Sequence, residues 1–580
     1  MSLSERRWAW PALAGVLIAA ISLRLWGVGQ GLPYVYNLDE SDHFVPHAVA
    51  MFRHGLDPHY FSNPPALTYL LHVVFAVWFG GASGVEHAYA HSPEDVYLVA
   101  RVVSAVLGTA AVWLLYLAGA RLFDRRVALV AAAIEAFAFL PVFYAHLALN
   151  DVPALAPLTL SLLGSAGILR RGRALDYLIA GAGLGLACAT KYTAGIVLLP
   201  LLAAAAARPA ARERASGGSS SHAIGALAGL AIAGAAALAA FLIANPYALI
   251  DYQAFHRGLV HQSTVSGESQ GKLGAPSDGG LPYYLWSLTW GLGWVPALAA
   301  LGGALTIWRR EPRVGWMLVP PAILYVAFMS LQGRYFGRWL LPIFPLACLL
   351  AAFFAFELVR GLARRGPRVP AIALVLAVAA LCVQGLVHSV HSSLVLSRAD
   401  TRNLTRAWMV AHVPAGSRIV VEPVVPNAWV TDIGAGSSGE PRWLKYASLR
   451  AAIDPATGAR EPEGRRVRPE DYERTLSPAL VAYYEQHGYC WVVSGSTQAG
   501  RAFADPRAVP QAIAYYRTLE ARASVAYRAS PYRSGAAPVP FGFDWSFDYY
   551  PLAYERPGPQ ITVYRLSGGA CAAPRASTAP

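Results

Sequence analysis

Charge is what this sequence has least of. Of its 580 residues only 14% are Asp, Glu, Lys or Arg, where soluble proteins carry about a quarter. That shortage excludes a water-facing surface over most of the chain. Lysine is scarcer still and occurs only at 191, 272 and 445. The net charge of +13 is therefore almost wholly arginine. It is dispersed in short clusters rather than gathered in a stripe, so nucleic acid is not an implied partner. Cysteine occurs five times, with no CxxC and no Cys/His zinc spacing. Cys188, Cys348 and Cys382 lie in apolar runs and read as small apolar residues. Cys490 and Cys571 lie near the C-terminus, where a disulfide and two free thiols are both open. A repeat of fixed period is absent as well, which counts against the inverted-repeat architecture of many transporters.

What the sequence has instead is hydrophobic residues, 55% of the chain, with a mean hydropathy of +0.39. About 20 apolar residues cross the ~30 Å hydrocarbon core of a bilayer. Runs of that kind lie near 8–28, 96–120, 126–147, 152–169, 174–190, 192–207, 223–244, 283–308, 314–331, 336–358 and 369–392. The fold class is thus a polytopic α-helical membrane protein with about eleven transmembrane helices, followed by a C-terminal soluble α/β domain. The first run ends in Leu25-Trp26-Gly27 rather than a small-residue cleavage site, so it is expected to stay as helix one. Gly225-Ala-Leu-Ala-Gly229 is a small-xxx-small pattern, expected to bring two helices close.

Arginine clusters fall between these runs, at Arg6/Arg7, Arg121/Arg125/Arg126, Arg170/Arg171/Arg173, Arg208/Arg212/Arg214, Arg309/Arg310/Arg313 and Arg360/Arg364/Arg365/Arg368. They occupy every second loop, as the positive-inside rule requires of cytoplasmic loops. Carboxylates Asp39, Glu40, Asp42, Asp57, Asp151, Asp251 and Glu268 occupy the others. The N-terminus is then cytoplasmic and the C-terminal domain extracytoplasmic, in the cytoplasmic membrane. Residues 66–80 are apolar but short and contain His72. Counting them as a span would reverse every later loop, so they are expected to form a re-entrant or interfacial helix inside a long external loop, 29–95.

The composition changes past 395. Residues 400–412 and 477–488 have helical patterns, and SRIVVEPVV, YCWVVSGS and PQITVYRLS read as strands. The expected division is 1–395 membrane domain, 396–572 extracytoplasmic domain and 573–580 disordered tail. The linker 208–222 is Gly/Ser-rich and expected to be flexible, and 360–370 is a basic hairpin. The stretch 530–558 is rich in Pro, Tyr, Phe and Trp; it is suited to stacking on a sugar or to packing on its own domain.

Unusual polar residues gather toward the external side. Asp39 and Glu40 follow the first run; a solvated loop start would also explain them. Phe44, Val45, Ala48, Val49 and Phe52 have the spacing of an interfacial helix interrupted by Pro46. Asp39, His43 and His47 are spaced i, i+4, i+8, one helical face that can bind a divalent metal or simply be polar. Asn150 or Asp151 is suited to cap the next helix, with Pro153 in its first turn. Lys191 is the lone lysine of the membrane region and needs a carboxylate or phosphate partner, unless it snorkels. Arg334 and Arg338 break the positive-inside pattern, as does Arg101, and an anionic ligand outside the membrane would account for them.

On these residues the chain resembles glycosyltransferase family 39 of the GT-C superfamily, which includes protein O-mannosyltransferases and the bacterial aminoarabinose transferase that modifies lipid A. The resemblance is carried by Asp39-Glu40, Pro64-Pro65, Arg101, Asp151, GLACATKYT around Lys191, Asn245-Pro246-Tyr247, and RYFGRWLLPIFP at 334–345, which includes Tyr335. It covers roughly residues 8–395, and no one motif is specific by itself. It implies transfer of a sugar from a polyprenyl-phosphate donor to an acceptor glycan, lipid or protein at the outer face, with inversion. Asp39 would be the general base, Glu40 a supporting residue or metal ligand, and Asp151 an acceptor-orienting group or a partner for a cation. Arg101, Lys191, Arg334, Tyr335 and Arg338 would surround the lipid phosphate. The competing class is a polyprenyl-lipid flippase or transporter with an external binding domain. The placement of the unusual charges at one face rather than the midplane favours the transferase.

Overall fold

The computed structural model describes residues 3–572 apart from 209–219, 269–272, 276–278, 363–368, 433–438, 448–449, 454–459, 467–468 and 543–548. The tail 573–580 and most of the linker 208–222 and hairpin 360–370 lie outside the described residues.

The apolar runs are helical. In chain order the longer helices are α1 (Leu3–Leu25), α2 (Val45–His54), α3 (Ala66–Trp78), α4 (Ala82–His91), α5 (Pro93–Leu122), α6 (Arg125–Phe137), α7 (Phe139–Tyr144), α8 (Leu155–Arg170), α9 (Ala174–Thr190), α10 (Leu198–Ala207) and α11 (Ser220–Ala244). They continue with α12 (Tyr252–Gly267), α13 (Gly280–Leu288), α14 (Trp294–Arg310), α15 (Pro312–Ser330), α16 (Phe344–Leu362) and α17 (Val369–Leu396). By length and composition, seven helices of the described chain can cross a membrane, or eight if α3 and α4 count as one bent span. The runs at 152–169, 174–190 and 192–207 form shorter apolar helices. The run 126–147 is broken at Ala138 into α6 and α7. Helices α3 and α4 meet at 97° across Gly80-Gly81, both with positive φ, the geometry of a re-entrant or broken span. Pro46 does not interrupt the interfacial helix. It lies in the first turn of α2, where its missing N–H costs nothing, and a π-turn at Glu40–Phe44 precedes it.

Close helix packing uses different glycines from the expected pair. Gly225 faces open space, and Gly229 makes room for the Tyr177 ring. The tight seam runs instead along α9, where a Cβ on Gly181 or Gly185 would lie 2.1 Å from the carbonyl oxygen of Ala233 or Ala237 in α11. Small residues are abundant in all these helices, so the sequence pattern alone does not select the seam.

The arginine loops gather at one end. Arg170 pairs with Glu311 at 3.2 Å, Arg171 with Asp176 at 2.5 Å and Arg310 with Glu357 at 3.3 Å.

The C-terminal part contains α18 (Thr401–His412), β1 (Arg418–Val421), β2 (Leu444–Lys445), β3 (Arg450–Ile453), β4 (Arg460–Arg466), α19 (Ala479–Gln486) and β5 (Tyr489–Gly495). After these come α20 (Ser496–Ala504), α21 (Pro510–Arg522), β6 (Ala523–Ala529) and β7 (Ile561–Leu566). The main sheet has the order β2-β1-β5-β7-β6; β1 is parallel to both its neighbours, and β7 is antiparallel to β5 and β6. Val420, Val492 and Leu566 pack with α19 and α21, whereas Ile419, Val421, Val493 and Val563 pack with α18. Adjacent strand residues thus serve opposite faces, which makes a helix-covered α/β layer. Cys490 and Cys571 form a disulfide with a Cα–Cα distance of 5.3 Å.

Two contacts seat this sheet domain on the helices. Asn403 of α18 donates to the Leu32 carbonyl at 3.1 Å and meets the Tyr36 hydroxyl. Tyr549 enters an aromatic nest of Phe139, Phe143 and Trp290, and its hydroxyl lies 3.0 Å from that of Tyr144. The aromatic stretch thus packs on both parts: Tyr549 on the helices, Phe541 against Gly500 of α20 in its own domain.

Candidate functional site

A cavity of about 440 Å³ lies where the two parts meet. Its floor comes from the first external loop, α7 and the segment before α16, with Asp39, Asp42, His43, Tyr144, Phe336 and Arg338. Its roof comes from the sheet domain and includes Arg402, Pro423–Pro426, Thr497, Gln498 and Arg501.

The adjacent residues Asp39 and Glu40 have opposite fates, because neighbours on a helical turn diverge by about 100°. The Glu40 side chain is 0% exposed and takes a bidentate fork from Arg101, with both distances 2.8 Å. It also accepts the Ala148 N–H at 2.8 Å, and Arg101 gives its remaining nitrogen to the Val28 and Gln30 carbonyls. This pair is a buried staple joining the first external loop to α5 and the segment after α7. Arg101 was expected near a phosphate and Glu40 in catalysis; both are instead consumed by each other, and neither lines the cavity.

Asp39 keeps 40% of its side chain exposed and faces the cavity. The Arg338 fork donates to it at 2.6 Å through Nη2, while Arg338 Nε lies 3.7 Å from Asp151. Asp151, only 4% exposed, takes Lys191 Nζ at 2.6 Å. Asp39, Arg338, Asp151 and Lys191 thus form a ladder of alternating charge from the cavity inward. The Arg338 guanidinium also lies over Phe336, 4.5 Å from the ring centre. Asp151 pairs with cations and does not cap a helix: Ala154 is the N-cap of α8, with no side-chain cap bond, and Asn150 donates to the Thr190 carbonyl. Chain geometry offered both roles, and two cations within reach outcompete backbone N–H groups.

The other expected residues are dispersed. Lys191 stands behind Asp151 and does not line the cavity. Arg334 pairs with Glu268 at 3.5 Å, and Tyr335 packs in an aromatic group with Tyr283 and Tyr284. His43 and His47 do share a face, but both rings stack on Tyr60, at 5.1 and 4.8 Å. Burial holds the His47 imidazole below its usual range. Among the described residues no group of three or more His, Cys, Asp or Glu is placed to hold a metal ion; on this face His43 Nε2 lies 3.6 Å from Asp39.

Sequence reading missed Tyr144, Phe336 and the whole roof. Tyr144 and Phe336 lie close in sequence to Asp151 and Arg338, which was an available signal. The roof residues carry no sequence signal, because they meet Asp39 only after the sheet domain docks.

Comparison with known proteins agrees with this architecture. The fold is shared with the apo crystal structure of the Archaeoglobus fulgidus oligosaccharyltransferase, with a TM-score of 0.51 at 15% identity over 94% of this chain and 76% of that one. At that identity the likeness shows a shared fold. Residues 94–238 match the family model described as dolichyl-phosphate-mannose-protein mannosyltransferase, so the resemblance to glycosyltransferase family 39 stands. ArnT from Cupriavidus metallidurans bound to undecaprenyl phosphate also aligns, at 14% identity over 98% of this chain and 99% of that one, with a TM-score of 0.44. The Saccharomyces cerevisiae protein O-mannosyltransferase Pmt1–Pmt2 complex bound to the sugar donor is 20% identical over 44% of this chain and 34% of that one, with a TM-score of 0.35. No protein of curated function matches the sequence.

Proposed function

We propose that this protein is an inverting membrane glycosyltransferase that moves a sugar from a polyprenyl phosphate to an acceptor hydroxyl, with Asp39 as general base. The observation that carries this reading is the Asp39–Arg338 pair at the floor of the cavity, a carboxylate and a guanidinium fork side by side. The family description, which names a dolichyl-phosphate sugar, supports the donor class. Eleven spans, an N-terminus in the cytoplasm and a sheet domain over 396–572 outside the cytoplasmic membrane complete the proposal; the alternating loop charges support that topology.

In the free protein the guanidinium fork of Arg338 engages the Asp39 carboxylate at 2.6 Å. A lipid phosphate competes for that fork, since Arg binds phosphate bidentately. Once Arg338 turns to the phosphate, Asp39 is released to accept the acceptor proton. The attacking oxygen then displaces the polyprenyl phosphate from the anomeric carbon. Arg338 meets the charge that grows on the leaving oxygen. Asp151 and Lys191 hold Arg338 in place from behind.

Purified protein in native lipid, given a panel of polyprenyl-phosphate sugars and cell-envelope extract, tests this reading. Wild type is expected to release polyprenyl phosphate, and folded Asp39→Asn to lose ~10²–10⁴-fold of that rate. Equal donor consumption by both would remove Asp39 as the base. Lipid translocation without any sugar transfer would replace the transferase with a flippase.

A further inference from the structure

The roof of the cavity contains a buried acceptor atom with nothing to accept. Gln498 is only 3% exposed and lines the cavity. Its Nε2 donates to the Pro423 carbonyl at 3.3 Å, but its Oε1 has no hydrogen-bond partner. Buried polar atoms are normally paired, so a donor supplied from the cavity is what this oxygen lacks. Thr497, one residue earlier, adds a hydroxyl, and Arg501, one turn later, adds a buried cation. All three belong to α20, whose N-cap residue Gly495 already gives its N–H to Glu422 at 2.8 Å, so the cation on this wall is Arg501, 3.9 Å from Glu473. The floor opposite already carries Asp39 and Asp42. A ligand's negative group is therefore better placed at the roof and its reacting hydroxyl at the floor.

The same wall argues against a peptide. Pro423, Pro426 and Pro559 line it and have no backbone N–H to pair with an extended chain. Recognition must come from side chains. Tyr36, Tyr144, Phe336 and Tyr550 add flat faces suited to the C–H face of a sugar ring. The volume falls in the range of small-ligand pockets, about 300–1,000 Å³.

We propose that Thr497, Gln498 and Arg501 form the acceptor subsite and that the acceptor is a hydroxyl-rich saccharide carrying a carboxylate or phosphate. Gln498 Oε1 accepts a hydroxyl proton, and Arg501 meets the anionic group. This rests on the transferase reading and adds the acceptor class to it.

The test uses full-length protein in lipid nanodiscs with glucuronate, inorganic phosphate, methyl glucoside and a Ser/Thr peptide as probes, followed by saturation-transfer NMR and phosphate competition. Glucuronate is expected to bind and to weaken ~10-fold or more in Gln498→Glu, which keeps the acceptor oxygen but sets a negative charge beside the ligand's anion. Thr497→Val is the second variant, with a smaller loss, should Gln498→Glu fold poorly. Peptide binding that excludes glucuronate, or glucuronate binding indifferent to both variants, overturns the assignment. In turnover, Gln498→Glu is expected to raise the acceptor KM and leave the donor KM unchanged. A raised donor KM instead would make the roof anion the lipid phosphate and overturn the acceptor reading. If no sugar is transferred yet glucuronate binding depends on Gln498, the subsite stands and the transferase reading falls.

Discussion

The floor and roof of the cavity handle charge in opposite ways. At and behind the floor three carboxylates are matched by cations: Glu40 by Arg101, Asp39 by Arg338 and Asp151 by Lys191. On the roof two carboxylates are buried with little help. Glu473 is fully buried, neither of its oxygens has a hydrogen-bond partner, and Arg501 is 3.9 Å away. Glu422 has hydrogen bonds from Ser494, Gly495 and Tyr516 but no ion-pair partner among the described residues. Burial pushes Glu473 up to about 7 and Glu422 up to about 8. The roof's unmatched carboxylates therefore change charge across neutral pH. The roof thus suits binding that can be tuned.

The largest break of this contrast lies in the floor's buried pair. Arg101→Leu leaves Glu40 as an uncompensated buried charge, and such losses cost about 3–5 kcal/mol. Thermal melts in detergent are expected to show a large drop, or no folded protein. A melting temperature within error of wild type would mean that the staple does not hold the loop.

Arg338→Lys should have the next largest effect. It keeps the charge but loses the planar fork that spans Asp39 and Asp151. Turnover is expected to fall ~10²-fold, as when one transition-state donor is lost, with the melting temperature little changed. Full activity would move the phosphate contact to another cation.

The smallest effect is the roof's pH dependence. Glu422 and Glu473 hold protons in the folded state that they lose near 4.5 in the unfolded chain. Between about 4.5 and 8 the native state therefore binds more protons, and stability falls as pH rises through that window. Glu422→Gln should flatten the dependence, read by melting curves from pH 5 to 8.5. The same ionisation adds negative charge beside Arg501, so the affinity for glucuronate should weaken toward pH 8. A stability curve that rises across this range would refute the roof's unmatched state.

Much of this protein was legible in sequence because a bilayer leaves few options. Backbone groups in hydrocarbon must bond internally, so long apolar runs such as 96–120 can only be helices. The loop charges then fix which ends lie together. Asp39, Arg338, Asp151 and Lys191 stood out because charge near lipid is rare and needs partners. Legibility failed where partners compete. Arg101 looked like a phosphate ligand for the same reason Arg338 did, and only geometry gave it to Glu40. The His43/His47 spacing was read correctly as one face, but the Tyr60 ring that covers it comes from the next turn of the loop.

By itself, then, the sequence determined the helices, the α/β character of the C-terminal part and the set of exceptional charges. These follow from local hydrophobicity and from the cost of burying charge, which act residue by residue. Tertiary structure alone decided which of two adjacent carboxylates faces the cavity, which glycines form the tight seam, and that α20 closes the site from above. Those outcomes depend on contacts between segments as much as some 460 residues apart, such as Asp39 and Gln498 across one cavity. No local pattern encodes a pairing whose partners meet only after both domains have folded.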